Sequence, residues 1–264
     1  MAARQGIIVT VSGKGGTGKT TFTALMLKLL LKIDGKKILV VDADPATNLP
    51  DVLNAPVAVT VGMVATELKK KIAGDEIPSD MDKKSLLEGL IMQVLVEKPQ
   101  FDLLAMGRTE GEGCYCLLNN LLTDIIDTLS KNYDLVLIDM EAGLEHLSRR
   151  TARDVDVMFI LTDPSKMGFQ TAKRIRNLSN EVHIKFQKRY LVGSTFPENA
   201  VEMLKEEAES LGVELAGIIP VDTKVILYNV AGNSLLDLPN DSPAVIAVKN
   251  ILDKSKIFSI NAFQ

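Results

Sequence analysis

The stretch "GIIVTVSGKGGTGKTTFTALMLKLLLKI", residues 6–33, decides the fold. It opens on a short run of apolar and β-branched residues, which reads as a strand buried on both faces. It closes on "TTFTALMLKLLLKI" (20–33), where apolar residues recur at helical spacing until Gly35 ends the run. Between them, "GKGGTGKT" (13–20) fits G-x-x-x-x-G-K-[ST]. A strand before it and a helix after it are the context this phosphate-binding loop requires. Gly13, Gly15, Gly16 and Gly18 let backbone N–H groups turn inward onto phosphate oxygens. Lys14 and Thr17 complete the loop, Lys19 would reach the β- and γ-phosphates, and the Thr20 hydroxyl would ligate Mg2+. Thr21 follows in the first turn of the helix, whose positive N-terminal end favours an anion.

Working outward, short apolar runs alternate with helical patterns. "KKILVVDAD" (36–44), "FDLLAMG" (101–107), "YDLVLIDME" (133–141), "VDVMFILTD" (155–163), "KRYLVGST" (188–195) and "ELAGIIP" (214–220) read as further strands. Helical segments lie between them at 116–132, 166–182 and 199–212. Continuous rather than alternating apolar strands belong to a parallel sheet covered on both faces. The expectation is an α/β fold: one doubly wound domain over residues 1–264, with a mostly parallel sheet of about seven strands and helices on both faces. Residues 57–100 form a helical insertion, with helices over roughly 62–73 and 82–96, and serve as filling or as a docking surface for a partner. The tail "SPAVIAVKNILDKSKIFSINAFQ" reads as a last helix packed on the sheet. Lys249, Lys254 and Lys256 leave a basic amphipathic membrane anchor as the alternative.

Two strands end in aspartates, where ligands of such sheets bind. "VVDADP" (40–45) presents Asp42 and Asp44, and "LVLIDMEAG" (135–143) presents Asp139, which would hold Mg2+ through a water. Gly143 would let the following loop approach the γ-phosphate, and that loop carries His146. His183 reads as a surface residue. The formal net charge of −4 argues against a nucleic-acid surface. No apolar stretch reaches 18 residues, so no transmembrane helix is expected. The N-terminus carries no signal-peptide pattern, and the cytoplasm is the expected compartment.

The second lysine of the loop, Lys14, makes it the deviant form "KGGxGKT", and on this motif the chain resembles the MinD/ParA class of P-loop NTPases, the SIMIBI class. That class includes the nitrogenase iron protein and the arsenite-pump ATPase. The resemblance implies ATP and ADP as ligands, ATP hydrolysis, and a face-to-face homodimer in which Lys14 reaches the partner's phosphates. It makes Lys14, Lys19 and Asp44 the catalytic residues, Asp44 positioning or activating the attacking water. It adds Asp42 to the magnesium surroundings. "IIPVD" (218–222) is similar to the class element that packs against adenine, which implies Pro220, Val221 and Asp222 as nucleotide contacts. Ser194 and Thr195 stand where an asparagine and a basic residue would be expected.

Only two cysteines occur in the chain, Cys114 and Cys116, in "MGRTEGEGCYC" (106–116). A bridge across one residue closes a strained ring and removes little chain entropy. This stretch, with "DMEAGLEHLSR" (139–149) and "LLDLPNDSPAVIAV" (235–248), resembles the CooC family of nickel-enzyme maturation ATPases. Two thiolates per chain are half of a tetrahedral site, and a two-fold axis doubles them. A homodimer would therefore hold one Ni2+ or Zn2+ between Cys114 and Cys116 of both chains. The implied client is carbon monoxide dehydrogenase or acetyl-CoA synthase, with no nucleic acid and no stable membrane anchor. An iron–sulfur carrier or electron-transfer ATPase similar to the nitrogenase iron protein is one alternative. A positioning ATPase similar to MinD or ParA is the other.

Overall fold

A computed structural model describes residues 6–74, 83–108, 115–142, 155–181 and 185–257. Among them, eight strands form one sheet: β1 (Ile7–Gly13), β2 (Ile38–Ala43), β3 (Val96–Glu97), β4 (Asp102–Ala105), β5 (Leu135–Met140), β6 (Val155–Thr162), β7 (Phe186–Ser194) and β8 (Glu214–Ile219). Their order is β3-β4-β2-β5-β1-β6-β7-β8. All neighbours pair in parallel except β3 with β4. The seven strands legible in the sequence are all present. The eighth, β3, is a two-residue antiparallel edge, too short to carry any periodicity.

The helices are α1 (Lys19–Leu30), α2 (Leu49–Val52), α3 (Val61–Ala73), α4 (Lys83–Val94), α5 (Tyr115–Leu129), α6 (Lys166–Glu181), α7 (Val201–Leu211), α8 (Thr223–Ala231) and α9 (Pro243–Ser255). The strict side-chain alternation of a strand sends neighbouring residues of β1 to opposite cores. Ile7, Val9 and Val11 join Phe22, Leu25 and Leu29 of α1 and Val245, Val248 and Leu252 of α9. On the other face Ile8 shares a core with residues of α3, α5, α6 and α7, such as Val64, Leu122, Ile175 and Leu204. Apolar cover on both sides is why the strands run as unbroken apolar segments.

The C-terminal helix α9 buries Ala244, Val245, Val248, Ile251 and Leu252, so it packs on the sheet rather than offering that stripe to a membrane. The region read as an insertion holds α3 and α4, close to their expected bounds. Thr60 caps α3, its hydroxyl accepting from Met63 N at 3.3 Å. Sequence periodicity missed α8 for a physical reason. It is apolar but buries no side chain fully, and only Val225 and Tyr228 rest half-buried on the core, too few to mark a stripe. Among the described residues, no helix is long and apolar enough to cross a membrane.

Candidate nucleotide site

Strand β1 lies at the centre of the sheet, flanked by β5 and β6. From β1 the chain first winds outward to β2 and β4, then returns to β5 and crosses to β6. The carboxyl end of β1 is therefore the topological switch point, where sheets of this kind bind ligands. The loop of residues 13–18 stands there.

Gly13 ends β1 so close to β6 that a Cβ would sit 2.4 Å from the Leu161 carbonyl oxygen. Gly16 and Gly18 have φ of 82° and 78°, a region costly to any residue with a Cβ. Gly18 is the N-cap of α1, and Phe22 N donates to its carbonyl at 2.8 Å. The Lys14 carbonyl gathers the loop. It accepts from Thr17 N at 3.3 Å, Thr17 Oγ1 at 2.8 Å and Lys19 Nζ at 3.4 Å. Thr17 and Lys19 are buried, while Gly15 and Gly16 are exposed. The first N–H groups of α1 have no partner within the helix, as at any helix start, and so present donors and a positive end at this point.

Asp42 and Asp139 face each other across neighbouring strands in register. Thr20 Oγ1 donates to Asp139 Oδ2 at 2.7 Å. The other oxygen, Asp139 Oδ1, is buried without a partner. Burial is the main force pushing the Asp139 carboxyl up to about 6, against the Thr20 bond and the Lys19 charge. Asp42 is pushed up to about 7, first by burial and then by Asp139. Both Asp42 oxygens are already engaged: Oδ1 accepts from Asp44 N at 3.0 Å and Oδ2 from Leu49 N at 2.9 Å. Asp42 thus clamps the turn that carries Asp44, and both of its oxygens are occupied by backbone N–H groups. Asp44, half-buried, accepts from Ala46 N at 2.8 Å at the head of that turn.

The carboxyl ends of β7 and β8 close the other side. Ser194 Oγ lies 3.8 Å from where a Gly18 Cβ would be. Thr195 N donates to the Ile219 carbonyl at 2.9 Å, joining that edge to Pro220 and Val221, which are exposed. Asp222 is not poised toward this opening. Its carboxylate caps α8 through Lys224 N at 2.9 Å and takes Ala244 N of α9 at 3.1 Å and the Ser242 hydroxyl. The expected adenine contact is a side chain committed to two helix starts. Its Asx-type cap position, two residues before Lys224, was the signal available in the sequence.

Cys114, Gly143, His146 and His183 lie outside the described residues, as does the side chain of Cys116. The backbone of Cys116 falls in the first turn of α5, which follows the carboxyl end of β4 and so starts on the same end of the sheet as the phosphate loop. Among the described residues, no three His, Cys, Asp or Glu side chains are placed to hold a metal ion.

Residues 8–235 match the CobQ/CobB/MinD/ParA nucleotide binding domain. The chain belongs to this family. An uncharacterized ATP-binding protein of Methanocaldococcus jannaschii is 48% identical over 94% of this chain and 98% of its own. The carbon monoxide dehydrogenase accessory protein CooC of Rhodospirillum rubrum is 31% identical over 89% of this chain and 90% of its own. Among solved structures, the septum site-determining protein MinD of Pyrococcus horikoshii, complexed with Mg-ADP, superposes with a TM-score of 0.68. It is 21% identical and the match covers 97% of this chain and 98% of that one, a likeness of fold. The P-loop NTPase fold of the MinD/ParA class and ATP binding follow from family membership. Magnesium nucleotide is the ligand typical of such a site, and the residues fit it: a buried, unpartnered carboxylate oxygen stands beside the threonine that ends the loop.

Proposed function

We propose that this protein is an ATP-hydrolysing maturation factor for a nickel enzyme, working as a nucleotide-controlled homodimer. The observation that carries the reading is its 31% identity with CooC across nine-tenths of both chains. The glycine-rich run that ends in Cys114 and Cys116 supports it, because α5 starts on the phosphate-loop end of the sheet. Met167 and Val221, 66% and 64% exposed, add apolar surface around that end, as a face meeting a second copy requires.

In this reading the whole chain is one cytoplasmic ATPase domain. Backbone N–H groups of residues 13–21 and the Lys19 ammonium hold the β- and γ-phosphates. Thr20 and Asp139 would hold magnesium, which neutralises phosphate charge when bound. Asp44 orients the water whose oxygen bonds to the γ-phosphorus. The bridging P–O bond to the β-phosphate then breaks, ADP keeps its electron pair, and the water's proton leaves with phosphate. Lys14 of each chain stabilises the developing charge on the partner's nucleotide. Closing the dimer brings Cys114 and Cys116 of both chains together around the cargo ion, Ni2+ in the cell or Zn2+ in its place. Opening after hydrolysis releases the ion to the client, carbon monoxide dehydrogenase or acetyl-CoA synthase.

The test is anaerobic metal titration with mass measured in solution, wild type against Cys114→Ser/Cys116→Ser, with and without ATP. One ion per dimer in the wild type and none in the variant is expected. Unchanged metal stoichiometry in the variant refutes the shared site. ATP-dependent sedimentation with vesicles or DNA, without cysteine-dependent metal, would instead favour a positioning ATPase.

A further inference from the structure

Lys14 is bound within its own chain. Its Nζ lies 2.7 Å from Asp163 Oδ2 and 3.3 Å from Ser165 Oγ. Both partners belong to the turn between β6 and α6, and each is fixed by further bonds. The Ser165 hydroxyl donates to Asp163 Oδ1, and Ser165 N reaches the same oxygen at 3.3 Å. Gly168 N donates to Ser165 Oγ at 3.0 Å. Gly168 itself lets the first turn of α6 come this near, since a Cβ there would lie 2.2 Å from Asp163 Oδ1. Lys14 and Asp163 keep 29% and 25% of their side-chain surface exposed, so the pair can part without opening the core. Burial pushes the Asp163 carboxyl up, but the bonds from Lys14 and Ser165 outweigh it and hold the group below its ordinary range.

A lysine that must reach a partner's phosphates cannot at the same time sit on this carboxylate. We propose that Asp163 and Ser165 form a resting seat for Lys14, a latch that keeps each chain in its single-copy form until a partner's nucleotide outcompetes it. This rests on the trans role of Lys14 given above. The seat makes dimerisation depend on nucleotide in the partner's site: a triphosphate offers more charge to Lys14 than one carboxylate does. Asp163 is a positioning residue here, acting through Lys14 and touching no substrate. Each dimer opens two latches. At about threefold for each partly exposed pair, removing them shifts the dimer constant by about tenfold.

The experiment is sedimentation equilibrium with Mg2+ and AMP-PNP over a protein concentration series. It compares wild type, Asp163→Asn, Lys14→Ala and the double variant, each first checked by thermal melting. Asp163→Asn is expected to dimerise at about tenfold lower concentration than wild type. Lys14→Ala is expected to weaken the dimer, so its series runs to concentrations where it still associates. There Asp163→Asn is expected to add no shift, whereas a purely structural role of Asp163 would add the same shift as in wild type. Ser165→Ala, a smaller perturbation, should shift the constant in the same direction by less, and it decides the matter if Asp163→Asn does not fold. An unchanged or weaker dimer in Asp163→Asn, or an equal shift with Lys14 absent, overturns the latch. A wild-type dimer that needs Lys14 but ignores Asp163 sinks the latch alone. No AMP-PNP-dependent dimer at all sinks the trans reading and the latch together.

Discussion

Replacing Asp222 by alanine removes one carboxylate that holds two helix starts. Oδ1 accepts from Lys224 N at 2.9 Å, and Oδ2 accepts from Ala244 N at 3.1 Å and from the Ser242 hydroxyl. The side chain is 7% exposed, so water does not replace these bonds for free. Losing the α8 cap costs about 1 kcal/mol. Leaving the Ala244 N–H and the Ser242 hydroxyl without their acceptor costs about 1–3 kcal/mol more. A total of about 2–4 kcal/mol lowers the melting temperature of a chain this size by roughly 5–15 °C. The assay is thermal and urea unfolding at neutral pH, paired with nucleotide titration well below the melting point. Stability should fall while nucleotide affinity stays within about threefold of wild type. The effect has a pH signature. Burial raises the Asp222 carboxyl, but its hydrogen bonds outweigh that and hold it below the ordinary value. A depressed acid stabilises the fold above its unfolded pKa of about 4 and loses that contribution as pH falls through the folded value. The gap between wild type and variant should therefore narrow below about pH 4. An unchanged melting temperature with a tenfold loss of nucleotide affinity would refute the capping role and restore Asp222 to the nucleotide.

The acidic pair beneath the phosphate loop makes the opposite pH prediction. Asp42 and Asp139, raised to about 7 and about 6, keep protons in the folded state that the unfolded chain gives up near pH 4. Without metal, stability should fall as pH rises from about 4 to about 7. Melting in EDTA should be higher at pH 5 than at pH 8, magnesium nucleotide should close the gap, and Asp139→Asn should shrink it. A melting temperature that rises across that range contradicts the assignment. Two glycines of one loop should behave differently. At Gly13 a Cβ meets the Leu161 carbonyl at 2.4 Å, whereas at Gly15 nothing lies within 4 Å. Gly13→Ala is expected to cost about 1–3 kcal/mol of apoprotein stability in urea unfolding. Gly15→Ala should change it by less than about 0.5 kcal/mol. Equal losses would show that the loop tolerates or resists both for a reason other than the approach of β6.

Periodicity and spacing alone determined the sheet and the phosphate loop of this protein. A strand buried on both faces must be apolar throughout, and a loop that wraps phosphate must carry glycine where φ is positive. Both demands are written in consecutive residues, as in "GIIVTVSGKGGTGKT". The aspartates at strand ends were legible for the same reason, since residues 42, 44 and 139 each close an apolar run. Only the tertiary structure decided what those carboxylates touch. Asp42 spends its oxygens on backbone N–H groups, Asp139 keeps one oxygen unpartnered, and the Asp222 carboxylate caps two helices. The seat of Lys14 on Asp163 joins residues 149 positions apart, a contact that leaves no trace in local pattern. Helix α8 escaped notice because burial, not composition, writes the helical stripe, and α8 rests on the core only through half-buried Val225 and Tyr228. Local sequence sets which groups a chain can offer. The packing of β1, β5 and β6 side by side sets which of them meet.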